Sequence, residues 1–483
     1  MKKIPSIALA LILTASFLSA CGAAADTAVP TATPAVSATA APSPSPVPTV
    51  EATPSVTAAP AIPETVFTKD ISKEEKEQAV DLIYTTVKKN FAAWDDTFTF
   101  EDWKSAYPDV MECVLATNNL YDFYMELKRF VALLNDDHSY VISPDSFNDD
   151  IWFTPVRFEY INDGYYIVSG EGRELQKLPQ FSKIIKIDNI PIDDYMAQNA
   201  FPYIGTANKS TAVYRFGSGM VRTGQANTSQ TFEVITPDGE ITTATIERMP
   251  YSQPYENKID SPTLSIDAEQ ETLFTSDLLT VKRLNNDFIY VNIATFENGD
   301  VVRQFEAWLD TLKQAKGIIL DVRGNGGGDS ANAKSIARHF ITGAYPDVQV
   351  KTTNYNARTD TYTLVSQGLP NLQGIGDITA PVVVLQSYLT GSAAEHFLDF
   401  MSYAQNAVSI GTESAGGTGD STMADLPGGG LLRVTNNKIT RGDGTEFLDV
   451  GIQPDIYMAT TIEDYENSHD AVLDYALDYL AQK

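Results

Sequence analysis

The sequence predicts an α/β protein whose main layer is preceded by a helical region and a small β domain. Three observations carry this. Beyond Phe288, apolar runs of strand length alternate with amphipathic helical stretches. Between about Trp152 and Phe274, short alternating segments are separated by turn residues. Ahead of both, apolar residues recur at helical spacing. At 483 residues, 43% of them hydrophobic and 10% aromatic, the chain is too long for one ordinary domain and rich enough in apolar residues to bury several cores.

The N-terminus reads as an address. Met1-Lys2-Lys3 is basic, Ile4 to Leu18 is apolar, and Leu18-Ser19-Ala20-Cys21 follows. This resembles a bacterial lipoprotein signal, and the apolar stretch is shorter than the roughly 20 residues a spanning helix needs. The resemblance implies a signal peptide over residues 1–20, lipidation of Cys21 and an extracytoplasmic, membrane-anchored protein. Residues 21–66 are mostly Ala, Thr, Pro, Ser and Val without an aromatic, a composition that cannot bury enough apolar surface to fold and suits a tether.

Residues 67–150 form the helical region. Ser72-Lys73-Glu74-Glu75 reads as a capping box, with Val80, Ile83, Tyr84, Val87 and Phe91 on one face of the helix it opens. A second helix is expected over Glu101 to Ala116, broken or restarted at Pro108, and a third carries Leu120, Phe123, Tyr124, Leu127, Val131 and Leu134. Residues 151–274 form the β domain, with a hairpin turning at Pro237-Asp238-Gly239. In residues 275–483 the expected order is strand Phe288–Ile293, helix Val301–Ala315, strand Gly317–Val322, helix Ala331–Ile341, strand Pro381–Leu385, helix Ser392–Ala404 and strand Ala407–Ile410. Ligand chemistry in such a layer gathers at strand ends.

Charge and composition exclude several functions. With 34 Lys+Arg against 63 Asp+Glu, a formal charge of −29, the chain would repel a nucleic acid. Two cysteines and four histidines, without an H-E-x-x-H, exclude a disulfide framework and a Cys-based zinc site and give no metal centre. No cofactor is implied, and Cys113 is expected to be a buried apolar side chain.

Three segments could carry chemistry. Asp321-Val-Arg-Gly324-Asn325-Gly326-Gly327-Gly328-Asp329 runs from a strand through a glycine turn into a helix, offering amides to an anion or oxyanion, or else making a tight turn. Gln386 to Glu395 places Ser392 at the first turn of a helix, as a nucleophile or as a plain N-cap. Leu134-Asn-Asp-Asp-His138-Ser139 puts an imidazole beside acids, which is a base or a surface histidine.

Together these segments resemble the C-terminal processing and tricorn-core family of serine peptidases. The helical D-x-H-S segment, a small β domain, the glycine turn and S-A-x-E occur in family order. They are followed by Ile410-Gly-Thr-Glu-Ser-Ala-Gly416 and Gly451-Ile-Gln-Pro-Asp455. The resemblance spans about Ile71 to Met458. It implies a crotonase-like α/β peptidase core, a PDZ-like β domain and cleavage of polypeptide substrates without metal or cofactor. The β domain resembles a degenerate PDZ module, because no glycine-rich carboxylate loop is evident.

The same resemblance implies the residue roles. Ser392 would be the nucleophile. Members using a Ser-Lys dyad carry lysine 25 residues after the serine, where this chain has Gly417, so the tricorn-like Ser-His branch is the better match and His138 becomes the base, with Ser139 as a possible assistant. Glu446 and Asp449 compete as the acid that orients His138, with Glu446 preferred. The amides of Gly327 and Ala393 would form the oxyanion hole. The rival reading is a non-catalytic lipoprotein that keeps the fold and binds peptide or a small ligand.

Overall fold

The computed structural model describes residues 69–483 apart from 96, 150, 207, 218–226, 267–269, 285–286 and 449. The signal segment, Cys21 and the tether lie outside the described residues, as does Asp449. Among the described residues no helix is long and apolar enough to cross a membrane.

A seven-stranded sheet organises the C-terminal half. Its order is Gln270–Thr275, Leu279–Leu284, Phe288–Ile293, Gly317–Asp321, Val382–Gln386, Ala407–Gly411, Ile456–Tyr457, antiparallel over the first three strands and parallel from Phe288 onward. The two central strands are buried throughout, as expected where both faces are covered. Successive residues supply opposite cores: Ile318, Leu320, Val382 and Val384 pack under the helices Ser330–Ala337 and Ala393–Met401, whereas Ile319, Val383 and Leu385 pack under the C-terminal helix Ala471–Ala481. The helix expected over Val301–Ala315 is two, Asp300–Glu306 and Leu309–Gln314.

Four helices, Lys73–Asn90, Phe100–Lys104, Tyr107–Ala116 and Leu120–Ala132, enclose the N-terminal core. The capping box at Ser72 forms, and Cys113 is a free thiol that is only partly buried, against expectation, because it sits between the buried Val110 and Val114 on the flank of its helix. The strand Tyr140–Ile142 then pairs antiparallel with Leu431–Thr435, in the register Tyr140 to Arg433. This pairing fastens the D-x-H-S segment to a hairpin more than 280 residues later in the chain, and Leu432 and Val434 complete the helical core.

Between these parts lies a second seven-stranded sheet, with Ser229–Ile235 and Ile241–Glu247 forming the expected hairpin. Helices Ile192–Asn199 and Lys209–Gly217 pack on it through Met196 and Val213.

Candidate active site

The three sequence segments meet at the carboxyl ends of neighbouring parallel strands. The glycine turn leaves the strand ending at Asp321, and the Ser392 loop leaves the adjacent strand ending at Gln386. The two loops are knitted by side chains: Ser387 Oγ donates to the Arg323 carbonyl at 2.5 Å and Thr390 Oγ1 to the Val322 carbonyl at 2.8 Å, while the Gly391 N–H reaches the Asn325 carbonyl at 3.0 Å. Arg323 bonds Asp321 and also Asp470, which caps the C-terminal helix.

Ser392 precedes the helix Ala393–Met401 with φ 52° and ψ −123°, a conformation costly for a residue with a Cβ. The elbow sequence G-x-S-x-G is absent, yet the backbone is forced into a sharp strand-to-helix turn that presents the serine. The space for it is made by Gly327 (φ +111°), where a Cβ would lie 2.7 Å from Ser392 Cβ and 3.0 Å from Ala393 N. Ala393 N–H is a first-turn amide with no backbone acceptor among the described residues.

Gly327 is therefore beside the serine, but its N–H donates to Asn325 Oδ1 at 2.9 Å. This corrects its assignment as a free oxyanion donor. Asn325 is fully buried, with its amide nitrogen on the Ile293 carbonyl, so its oxygen is fixed where it takes that proton.

His138 is half-buried, and its Nδ1 lies 2.8 Å from the Gly419 carbonyl. A carbonyl can only accept, so Nδ1 carries the proton and the neutral ring keeps a lone pair on Nε2. Two residues away, the Gly417 carbonyl accepts the Ser392 N–H at 2.9 Å. One short segment, Gly417–Gly419, thus touches both the serine and the histidine.

Glu446, expected to orient His138, instead pairs with Lys438 at 3.1 Å and is mostly exposed. The reason is electrostatic: Lys438 is buried and needs a countercharge. Ser139 does not assist His138 either. Its hydroxyl donates to Asp136 and accepts the Thr435 N–H at 2.9 Å, which anchors the segment to the hairpin.

Four residues that hold these segments were given no role by the sequence. Glu395, fully buried, accepts from Ser392 N–H at 3.0 Å, Ser414 Oγ at 2.6 Å and Gly416 N–H at 2.7 Å. Its place three residues after a helix-opening serine is a capping-box signal that could have revealed it. Asn325, His396 and Arg215 offered no such signal. His396 is buried between Ser330 Oγ (2.7 Å) and Thr418 Oγ1 (2.8 Å).

Arg215, on the helix Lys209–Gly217, donates to both the carbonyl and a carboxylate oxygen of Asp137. Burial pushes the Asp137 carboxyl up, and the charge of Arg215 pulls against it. Arg215→Ala is expected to cost about 3 kcal/mol in denaturant unfolding, because the carboxylate is left buried and unpaired. The added change Asp137→Asn should recover most of that, and the loss should shrink as pH falls and Asp137 takes up a proton.

Residues 287–458 match Peptidase family S41. Over that stretch the chain is similar to a family of peptidases. The chain is 25% identical over 170 residues to the chloroplastic C-terminal processing peptidase of Tetradesmus obliquus, covering 35% of this chain and 34% of that protein. It is 28% identical over 174 residues to the carboxy-terminal processing protease CtpA of Bacillus subtilis, covering 36% and 35%. The chain thus matches about a third of the length of these relatives. Two structures of mature CPAF, one complexed with lactacystin, superimpose with TM-scores of 0.64 over 84% of this chain and 98% and 96% of theirs. At 12% and 14% identity that likeness is one of fold, an α/β peptidase fold.

Within this fold, the surroundings of Gly417 leave no room for a lysine. A Cβ there would lie 2.5 Å from Asp137 Oδ2 and 2.6 Å from Asp137 Cβ, so no side chain enters without moving the D-x-H-S segment. The cleft also adjoins a cavity of 640 Å³ lined by Tyr160, Leu264, Gly324, Tyr388, Thr412 and Tyr457 among others, which includes neither Ser392 nor His138.

Proposed function

We propose that the protein is a lipid-anchored, extracytoplasmic serine endopeptidase of the tricorn-like Ser-His branch. Ser392 attacks a peptide carbonyl as His138 Nε2 takes its proton, and water activated by the same imidazole resolves the acyl-enzyme. The observation that carries this reading is the Gly417–Gly419 segment, whose carbonyls bond the Ser392 N–H and the His138 ring. The Ala393 N–H supplies one oxyanion donor, and the second falls to another amide of the Gly324–Gly328 turn. Residues 275–483 act as a crotonase-like catalytic domain and residues 151–274 as a degenerate PDZ-like module that braces it. Cys21, once lipidated, and the tether hold the body off the membrane.

A fluorophosphonate probe tests the proposal. Covalent labelling found at Ser392 by peptide mass analysis is the expected result; an unlabelled serine in folded protein refutes it. A second reading, a binding lipoprotein on the peptidase fold, is favoured by the cavity that omits both catalytic side chains. That reading predicts peptide binding without labelling.

A further inference from the structure

We propose that His396 and Thr418 are positioning residues that set the Gly417–Gly419 segment, and through it the alignment of Ser392 with His138; this rests on the serine-peptidase reading above. The segment has few means of holding itself. From Gly416 to Gly419 only Thr418 has a side chain. Gly416 and Gly419 have φ of +78° and +124°, conformations open to glycine and available to many alternatives once contacts are lost.

What fixes the segment comes from the serine helix. Glu395 takes the Gly416 N–H at 2.7 Å, and the next residue, His396, meets Thr418 Oγ1 at 2.8 Å. Thr418 is 1% exposed and His396 6%, so both groups lie in the protein interior. The far nitrogen of the imidazole lies 2.7 Å from Ser330 Oγ, on the first turn of the helix that follows the glycine turn. The imidazole is thus a strut between that helix and the segment, and it stands one turn beyond Ser392 on the serine helix itself.

The chemistry of the strut fits a fixed neutral ring. One nitrogen of a neutral imidazole donates and the other accepts, and each hydroxyl can do either, so both bonds are made in either tautomer. Burial, with the nearby charge of Lys334, holds the ring well below its usual range, at about 3, so it stays uncharged through the working range. His396 therefore neither gives nor takes the catalytic proton.

Displacement of the two carbonyls by a fraction of an ångström would misdirect His138 Nε2 while leaving substrate contacts alone. The effect belongs on the chemical step.

The test uses the full chain and the fluorophosphonate probe, separating kinact from KI. Thr418→Val keeps the shape and removes the hydroxyl. We expect kinact to fall about 10- to 100-fold with KI within about twofold, and Thr418→Ser to restore kinact to within about threefold. Wild-type kinact in Thr418→Val, or no rescue by Thr418→Ser, overturns the inference while the Ser392 reading stands. Absence of labelling in the wild type overturns both. Should Thr418→Val fail to fold, Ser330→Ala decides: a fall in kinact of about threefold or more supports the strut, and an unchanged kinact overturns it.

Discussion

Replacing either Ser392 or His138 with alanine is expected to lower kcat on a polypeptide substrate by about 10⁴-fold or more, and the double variant should be little worse than either alone. The non-additivity is the informative part. The serine hydroxyl is a poor nucleophile without a base to take its proton, and the imidazole has nothing to activate without the serine, so each single change removes the same unit. His138→Gln sharpens the result. Its side-chain amide can still donate to the Gly419 carbonyl that now meets Nδ1, but it has no basic nitrogen. It should fold with a melting temperature near that of the wild type, because only one hydrogen bond of about 1 kcal/mol is altered, yet match the alanine variant in kcat. Activity near wild type in any of the four variants would refute the Ser392–His138 pairing.

Stability should fall as pH rises through the neutral range, and Glu395 is the cause. Burial pushes its carboxyl from an ordinary 4.5 up to about 8, against three donors that favour the charged form. The folded chain therefore keeps a proton that the unfolded chain gives up. The contribution is fully present below about pH 4.5 and is lost as pH passes through about 8. Its full span is on the order of 4–5 kcal/mol. Glu395→Gln is neutral at every pH, so unfolding measured from pH 5 to pH 8.5 should show a decline in the wild type that the variant lacks. The same group holds Ser392 N–H and Gly416 N–H, which links the stability decline to the site. An identical pH dependence in both proteins would mean that Glu395 stays charged and that its three donors outweigh its burial.

Much of this architecture is legible in local sequence. The alternation beyond Phe288 announces parallel strands with crossover helices, because a strand buried on both faces must be apolar throughout, and Gly317–Asp321 and Val382–Gln386 are. The capping box at Ser72 and the hairpin turn at Gly239 are likewise readable, since each depends on residues within one turn of chain. The glycine turn and Ser392 stand at strand ends, where the chain order already placed them.

Partner choice was not legible, because it depends on which group arrives from far along the chain and on what burial then demands of it. His138 meets a backbone carbonyl 281 residues away rather than an acid, while Glu446 answers the buried charge of Lys438. Gly327 lies against the serine, but the buried Asn325 claims its amide. Ser392 takes a positive φ that no serine signals by itself. By itself the sequence determined the kinds of elements, their order and the three segments able to do chemistry, since periodicity and turn preference act within a few residues. The tertiary structure alone decided which donors are free, which charges are paired and which segment joins Ser392 to His138, since desolvation makes every buried polar group take the partner that packing supplies.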